Sequence, residues 1–292
     1  MIYDVRLRMR YDYGSPVFGG RQLLRLTPMH VPGVQHVHEA RLDSAPPAQE
    51  RADRRDFFHN TTTGLVLAQQ HTAVTFTMTA RVERMEQEAR LDTAPALADL
   101  PAEIAAYHGI GAGAPQHYLS ASPRVYRDGA VGEWARDVTS GAPSVLAAVA
   151  RLNTALHHDM RYDPDATTVE TPLSVAFAAR HGVCQDFSHI MIAALRDLGI
   201  PAGYVSGLLR TQPPPGQPRL EGADAMHAWV GVWCGQDMGW MEFDPTNAVQ
   251  VGTDHISVAW GRDYSDVAPV KGVLRLSGAQ SAAQSVDVVP LG

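Results

Sequence analysis

Three side chains in the second half of the chain have the types and order needed for acyl transfer through sulfur: Cys184, His227 and Asp244. Cys184 opens the amphipathic run of "GVCQDFSHIMIAALRDLGIP", where Phe187, Met191, Ala194, Leu195 and Leu198 repeat at helical spacing before Gly199 and Pro201 stop it. A thiol in the first turn of a helix faces unpaired N–H groups and the positive end of the dipole, both of which favour a thiolate. The competing reading is a core filler, because Cys184 also falls on the apolar stripe that contains Phe187.

"MHAWVGVWC" reads as a strand, with His227, Trp229, Gly231 and Trp233 on one face and Met226, Ala228, Val230, Val232 and Cys234 on the other. If the first face meets the helix, His227 is the candidate base for Cys184. In "GWMEFDPTN" the same alternation groups Trp240, Glu242 and Asp244. Asp244, at the strand end before Pro245, can accept the second imidazole N–H and fix the tautomer. It can equally cap an Asx turn, and the two roles are compatible. Glu242, earlier in the strand, is the weaker competitor for orienting the ring.

The same atoms supply zinc-type ligands, but strand parity sends Cys234 away from His227, and no CxxC or HExxH spacing occurs. Cys234 therefore reads as a core filler, and the chemistry calls for no metal and no cofactor.

These side chains need a scaffold. Val5, Leu7, Met9 and Tyr11 alternate with Arg6, Arg8 and Arg10, and Val74, Phe76, Met78, Ala80 and Val82 alternate with Thr75, Thr77, Thr79 and Arg81. The first 85 or so residues thus read as a mainly antiparallel β unit. "DLPAEIAAYHG" suggests a short helix, and "GIGAGAPQ" and "DVTSGAPS" read as turns or linkers. "PSVLAAVARLNTALHHD" predicts a helix capped by Ser144, and "PLSVAFAARHG" a shorter one ending at Gly182. Strand-like pieces follow: "AGYVSGLL", "MHAWVGVWC", "GWMEFDPT", "HISVAW", "KGVLRLSG" and "SVDVVP". "RTQPPPGQPRLEGAD" is too rich in proline for a central strand and reads as an exposed flap. Helices followed by antiparallel strands imply an α+β arrangement, with the Cys184 helix packed on an antiparallel sheet or partial barrel.

At 292 residues and 45% hydrophobic, the chain can bury a substantial core. Its formal charge of −7 and lack of long Lys or Arg runs argue against nucleic acid as a partner. The cluster in "RADRRDFF" reads as a solvated face. Two cysteines cannot form a disulfide scaffold, and "MIYDVRLRMRYDYG" has no apolar leader region. No stretch is long and uncharged enough to cross a bilayer. The expectation is a soluble cytoplasmic protein with no membrane partner.

"HGVCQDFSHIMIAALRDLGIPAGYVSG", "MHAWVGVW" and "GWMEFDPTN" together resemble the bacterial transglutaminase-like family, within the wider papain-like group of cysteine enzymes. "YDYGSPV" and "RLTPMH" are similar to that family's amino-terminal β domain, and "HISVAWGRDYSDVAPVKGV" to the tail of its protease-like branch. The resemblance implies three regions: residues 1–90 as the amino-terminal β domain, 91–140 as linker and short helices, and 141–292 as catalytic core with carboxy-terminal strands. It implies Cys184 as nucleophile, His227 as general base and acid, and Asp244 as the residue orienting the imidazole. Tyr162, Gln185 and Trp229 are candidates for oxyanion or substrate contacts. Two positions depart from the family pattern. His59 stands in "DFFHN" where relatives usually have Gly before Asn, and Met226 stands where many have Ser. Parity predicts that Met226 faces away from the thiol.

The implied activity is hydrolysis of peptide or amide bonds through a thioester, with a peptide or protein as substrate. The alternatives are γ-glutamyl transfer to an amine acceptor, or a non-catalytic peptide-binding protein.

Overall fold

The computed structural model describes residues 1–88, 90–211, 220, 222, 224–273 and 279–291. The first unit begins with β1 (Ile2–Val17), β2 (Arg21–Leu24), β3 (Gln35–Ala45), β4 (Glu50–Arg55), β5 (Thr61–Val66) and β6 (His71–Arg84). The alternation predicted for β1 and β6 holds. Val5 and Leu7, and Val74 to Val82 at every second position, are buried, while Arg6, Arg8 and Arg10 face water.

A helical layer follows, made of α1 (Leu100–Ala106), α2 (Gly129–Thr139), α3 (Val145–Asp159), β7 (Arg161–Tyr162), α4 (Leu173–Ala179), β8 (His181–Gly182) and α5 (Cys184–Asp197). Ser144 caps α3 as expected, its hydroxyl accepting from Ala147 N at 3.0 Å. α4 stops earlier than predicted, at Arg180, whose left-handed backbone (φ 56°) ends it. α2 is a helix not singled out from the sequence, and it takes in the first three residues of "DVTSGAPS", which read as a turn or linker. Asp128 caps it, and Val131 and Ala135 lie in the core beside Val149 and Leu195.

The remaining elements are β9 (Ala202–Leu209), β10 (Ala225–Trp233), β11 (Trp240–Asp244), β12 (Val249–Gln250), β13 (His255–Gly261), α6 (Tyr264–Val267), β14 (Val270–Val273) and β15 (Gln280–Leu291). Five form an antiparallel sheet in the order β12-β11-β10-β9-β13. Two strands separate β11 from β13, yet Asp244 Oδ2 lies 3.1 Å from His255 Nε2, and the Trp240 and Trp260 rings are 5.2 Å apart. The sheet is therefore curled into a partial barrel. Glycine permits the curl: a Cβ on Gly231 would collide with the Trp260 ring, and one on Gly207 with the Trp229 ring.

β14 and β15 correct the expectation that the carboxy-terminal strands belong to the core. β15 pairs with β1, and β14 with β2, completing two four-stranded sheets of the first unit, β15-β1-β6-β3 and β14-β2-β5-β4. Those sheets share one apolar cluster, and Leu208, Ile256 and Val258 of the core sheet join it. Polar bridges reinforce the junction: Asn60 bonds both backbone groups of Trp260 at 2.7 and 2.8 Å, and buried Gln35 bonds both backbone groups of Ser257. Most of the expected flap, residues 212–219, 221 and 223, lies outside the described residues, as do 274–278 of the predicted "KGVLRLSG" strand.

Candidate active site

The thiol is presented by a short, tightly braced turn. Parallel pairing of β7 with β8 sets Tyr162 opposite Gly182, and Val183 leads directly into α5. Asp186 reaches back to accept from Val183 N at 2.8 Å and from Thr167 Oγ1 at 2.6 Å. A Cβ on Gly182 would stand 2.6 Å from the same carboxylate oxygen, so only glycine leaves room for the brace. Cys184 is the first residue of α5 and half-buried, whereas the helix from Gln185 to Arg196 is buried throughout.

Asp244 is fully buried and organises the groups around it. Its Oδ2 is 2.8 Å from His227 Nε2, 3.1 Å from His255 Nε2, and accepts from Asn247 Nδ2 at 2.7 Å. Its Oδ1 accepts from Thr246 N at 3.0 Å and Asn247 N at 3.2 Å. One oxygen thus makes the Asx turn and the other holds the two rings, so both roles read from the sequence coexist.

The ionisation states follow from this geometry. Burial alone would strip the proton from His227, but hydrogen bonds to Asp244 and Cys184, with the negative charge of each, hold the imidazolium up to about 10. Burial would likewise raise Asp244, but bonds from His227, His255 and Asn247 hold its carboxyl well below the usual carboxylate range. With Nε2 committed to Asp244, the nitrogen left for the thiol is Nδ1. Cys184 and His227 line one cleft together.

The other candidate residues separate. Tyr162 is exposed but stands near the sulfur: burial raises its phenol, and the charge of Cys184 raises it further. Gln185 lines the cleft, with its amide nitrogen donating to Val169 O at 3.2 Å. Trp229 does not reach the cleft. Its ring is fully buried, and its Nε1 donates to Glu242 Oε2 at 2.8 Å, which together with the Arg84 ion pair (3.5 Å) removes Glu242 as a rival to Asp244. Cys234 is a core residue whose thiol burial pushes up to about 12.

The faces of β10 are the reverse of the expectation. α5 packs on Ala228, Val230 and Val232, while His227 and Trp229 share the concave side. Met226 consequently lines the cleft with the thiol instead of facing away, because it shares the parity of the helix-contacting residues.

His255 and Asn247 were not singled out from the sequence. Asn247 stands in the quoted "DPTN" run, three residues after Asp244. His255 carries no local signal, since only the curl of the sheet brings it to the carboxylate.

His227, Asp244 and His255 also form the one group with metal-ligand spacing among the described residues, their ligand atoms lying within 4.8 Å of one another. Separations of 2.8 and 3.1 Å from the shared oxygen are those of direct hydrogen bonds, which place a proton between the atoms. The donor set as arranged fits a proton network, not a cation.

His59 has a φ of 64°, the left-handed region that glycine adopts freely. Glycine would adopt this backbone freely, whereas the histidine holds it at a conformational cost.

Two family models match the chain: the transglutaminase-like superfamily core over residues 132–245, and the bacterial transglutaminase-like N-terminal region over residues 3–83. An uncharacterized protein of Mycobacterium tuberculosis is 35% identical over 295 residues, covering 99% of this chain and 92% of that protein. One from Mycobacterium leprae is 40% identical over 133 residues, covering 44% of this chain and 45% of its own length. Among solved structures, a candidate cysteine protease from Cytophaga hutchinsonii superposes with a TM-score of 0.76 at 21% identity, covering 100% of this chain and 91% of that one. That likeness establishes the shared α+β fold.

Proposed function

The chain belongs to the transglutaminase-like superfamily, in its bacterial form with a dedicated N-terminal region, and from that membership we propose that it is a cysteine-dependent acyl-transfer enzyme. The observation that carries this reading is the His227 ring, bonded to Asp244 and sharing one cleft with the Cys184 thiol.

The Cys184 thiolate attacks a peptide or carboxamide carbonyl, and the carbonyl π electrons move to oxygen. The N–H of Cys184, in a helical first turn with no carbonyl one turn earlier to bond, faces that oxyanion, and Tyr162 is the candidate second donor. As the tetrahedral adduct collapses, the C–N bond breaks and the His227 imidazolium gives its proton to the departing amine. A thioester remains. Neutral His227 then takes a proton from water as it adds to the thioester, and collapse releases the carboxylic acid and the thiolate. Asp244 holds the ring in register and compensates the imidazolium, while His255 and Asn247 hold Asp244. No cofactor enters this sequence. The reading assigns the protein to a reducing, cytoplasmic setting in which its two thiols stay free.

Hydrolysis is the preferred outcome and agrees with the protease assignment of the Cytophaga neighbour. Amine transfer is its rival, since both share the first half-reaction. A peptide-amide library incubated with the protein and with Cys184→Ala, products identified by mass, tests the activity. Adding a labelled primary amine separates the outcomes: incorporation faster than release into water would replace hydrolysis with transamidation.

A further inference from the structure

The cleft beside Cys184 lies between the two units. Its far wall is Met9 and Tyr11 of β1, with Gln284 of β15. Its near wall is Tyr204, Met226 and Tyr264 of the core. Its volume is about 220 Å³, below the roughly 300–1,000 Å³ of a pocket that encloses a whole drug-sized ligand. It suits a side chain or two of an extended molecule whose remainder stays outside.

Among the described residues that line this cleft, none is Asp, Glu, Lys or Arg, so its formal charge comes only from the Cys184 and His227 pair. The phenols add none. Burial pushes Tyr11 up to about 12, with the neighbouring Tyr264 and Tyr13 adding to it, and raises Tyr204 and Tyr264 as well. A charged substrate side chain would give up water here without gaining a counter-charge, whereas an apolar one would gain contact with Met9, Met226 and the tyrosine rings.

Building on the acyl-transfer reading, we infer that the cleft selects its substrate by an uncharged, apolar side chain beside the carbonyl under attack, and that Met9, Tyr11 and Met226 set this preference. The N-terminal unit is then a specificity element, since it supplies one wall of the site.

The test titrates fluorescein-labelled Gly-Xaa-Gln-Gly-Gly peptides, with Leu, Phe, Asp or Lys at Xaa, onto full-length Cys184→Ala protein, read by anisotropy. Leu and Phe peptides should bind about tenfold more tightly than Asp and Lys peptides, the scale of one poorly solvated charge. Met9→Lys should shift the preference toward the Asp peptide by a similar factor, and so should Gln284→Lys at an exposed position that folding tolerates. Equal binding of all four peptides, no binding of any, or a ranking unmoved by both lysines would overturn the inference. Turnover of the Leu peptide by the unsubstituted protein is scored separately. Selective binding without any Cys184-dependent product would remove the acyl-transfer reading and leave the selectivity of the cleft standing.

Discussion

His227 and His255 meet on a single oxygen of Asp244, at 2.8 and 3.1 Å, although they come from strands on opposite sides of β9. Gly252 N donates to His255 Nδ1 at 3.5 Å, which leaves Nε2 as the ring atom that donates to the carboxylate. The place of His255 is to hold the carboxylate that holds the His227 imidazole. A hydrogen bond to a charged group contributes about 1.5–3 kcal/mol, so His255→Ala should lower kcat by roughly tenfold or more. KM should stay close to its original value. His255→Gln, which retains an N–H donor, should recover most of the loss; equal failure of both variants would reduce His255 to core packing.

Thiol reactivity tests the pairing of Cys184 with His227 without knowledge of the substrate. Iodoacetamide near neutral pH should label Cys184 faster than the same peptide in urea. His227→Ala should slow labelling by about a hundredfold, the lower range for positioned acid–base groups. Labelling indifferent to His227 would favour a protein that only binds.

The pH dependence has a definite sign. The folded state holds His227 at about 10 against an ordinary 6.5, so the stability it contributes is complete below 6.5 and is lost as pH rises through 10. Asp244 works the other way: its contribution is present above its ordinary 3.8 and is lost as pH falls beneath it. The Tm difference between the protein and His227→Gln should therefore be widest between these ordinary values and narrow toward pH 10. Activity should show an alkaline limb near the same upper value. A Tm difference that grows above neutrality would contradict the assignment.

Gly182→Ala should cost about 1–3 kcal/mol by overpacking against Asp186. It should also misplace the first turn of α5, so alkylation of Cys184 slows even in the folded state. Differential scanning calorimetry with labelling kinetics checks both effects.

His59→Gly should raise stability by about 0.5–1 kcal/mol. Relief of a left-handed side-chain clash, about 1–2 kcal/mol, exceeds the extra backbone entropy that glycine brings. A urea midpoint that falls would show that the histidine makes compensating contacts.

The parts of the site carried by local pattern were readable in the sequence. Cys184 is at a helix start, His227 in an alternating strand, and Asp244 before a proline, and all three converge. The parts that depend on curvature were not. Alternation divides β10 into two faces but cannot say which one a helix covers, so Met226 and Trp229 were placed on the wrong sides of the sheet. His255 is invisible for the same reason, because two strands separate its own from that of Asp244 and only the curl brings them together. α2 has a cap in Asp128 and apolar spacing at Val131 and Ala135, but its last residues run into the "TSGAPS" turn, whose composition reads as a turn or linker.

The pairing of β15 with β1, Leu291 opposite Ile2, makes assembly depend on synthesis order. β1 emerges from the ribosome early but waits for its outer neighbour until residues 280–291 have followed. The core strands and the thiol are translated before that last strand docks. A nascent chain therefore carries Cys184 before the cleft wall that Gln284 of the last strand supplies is in place.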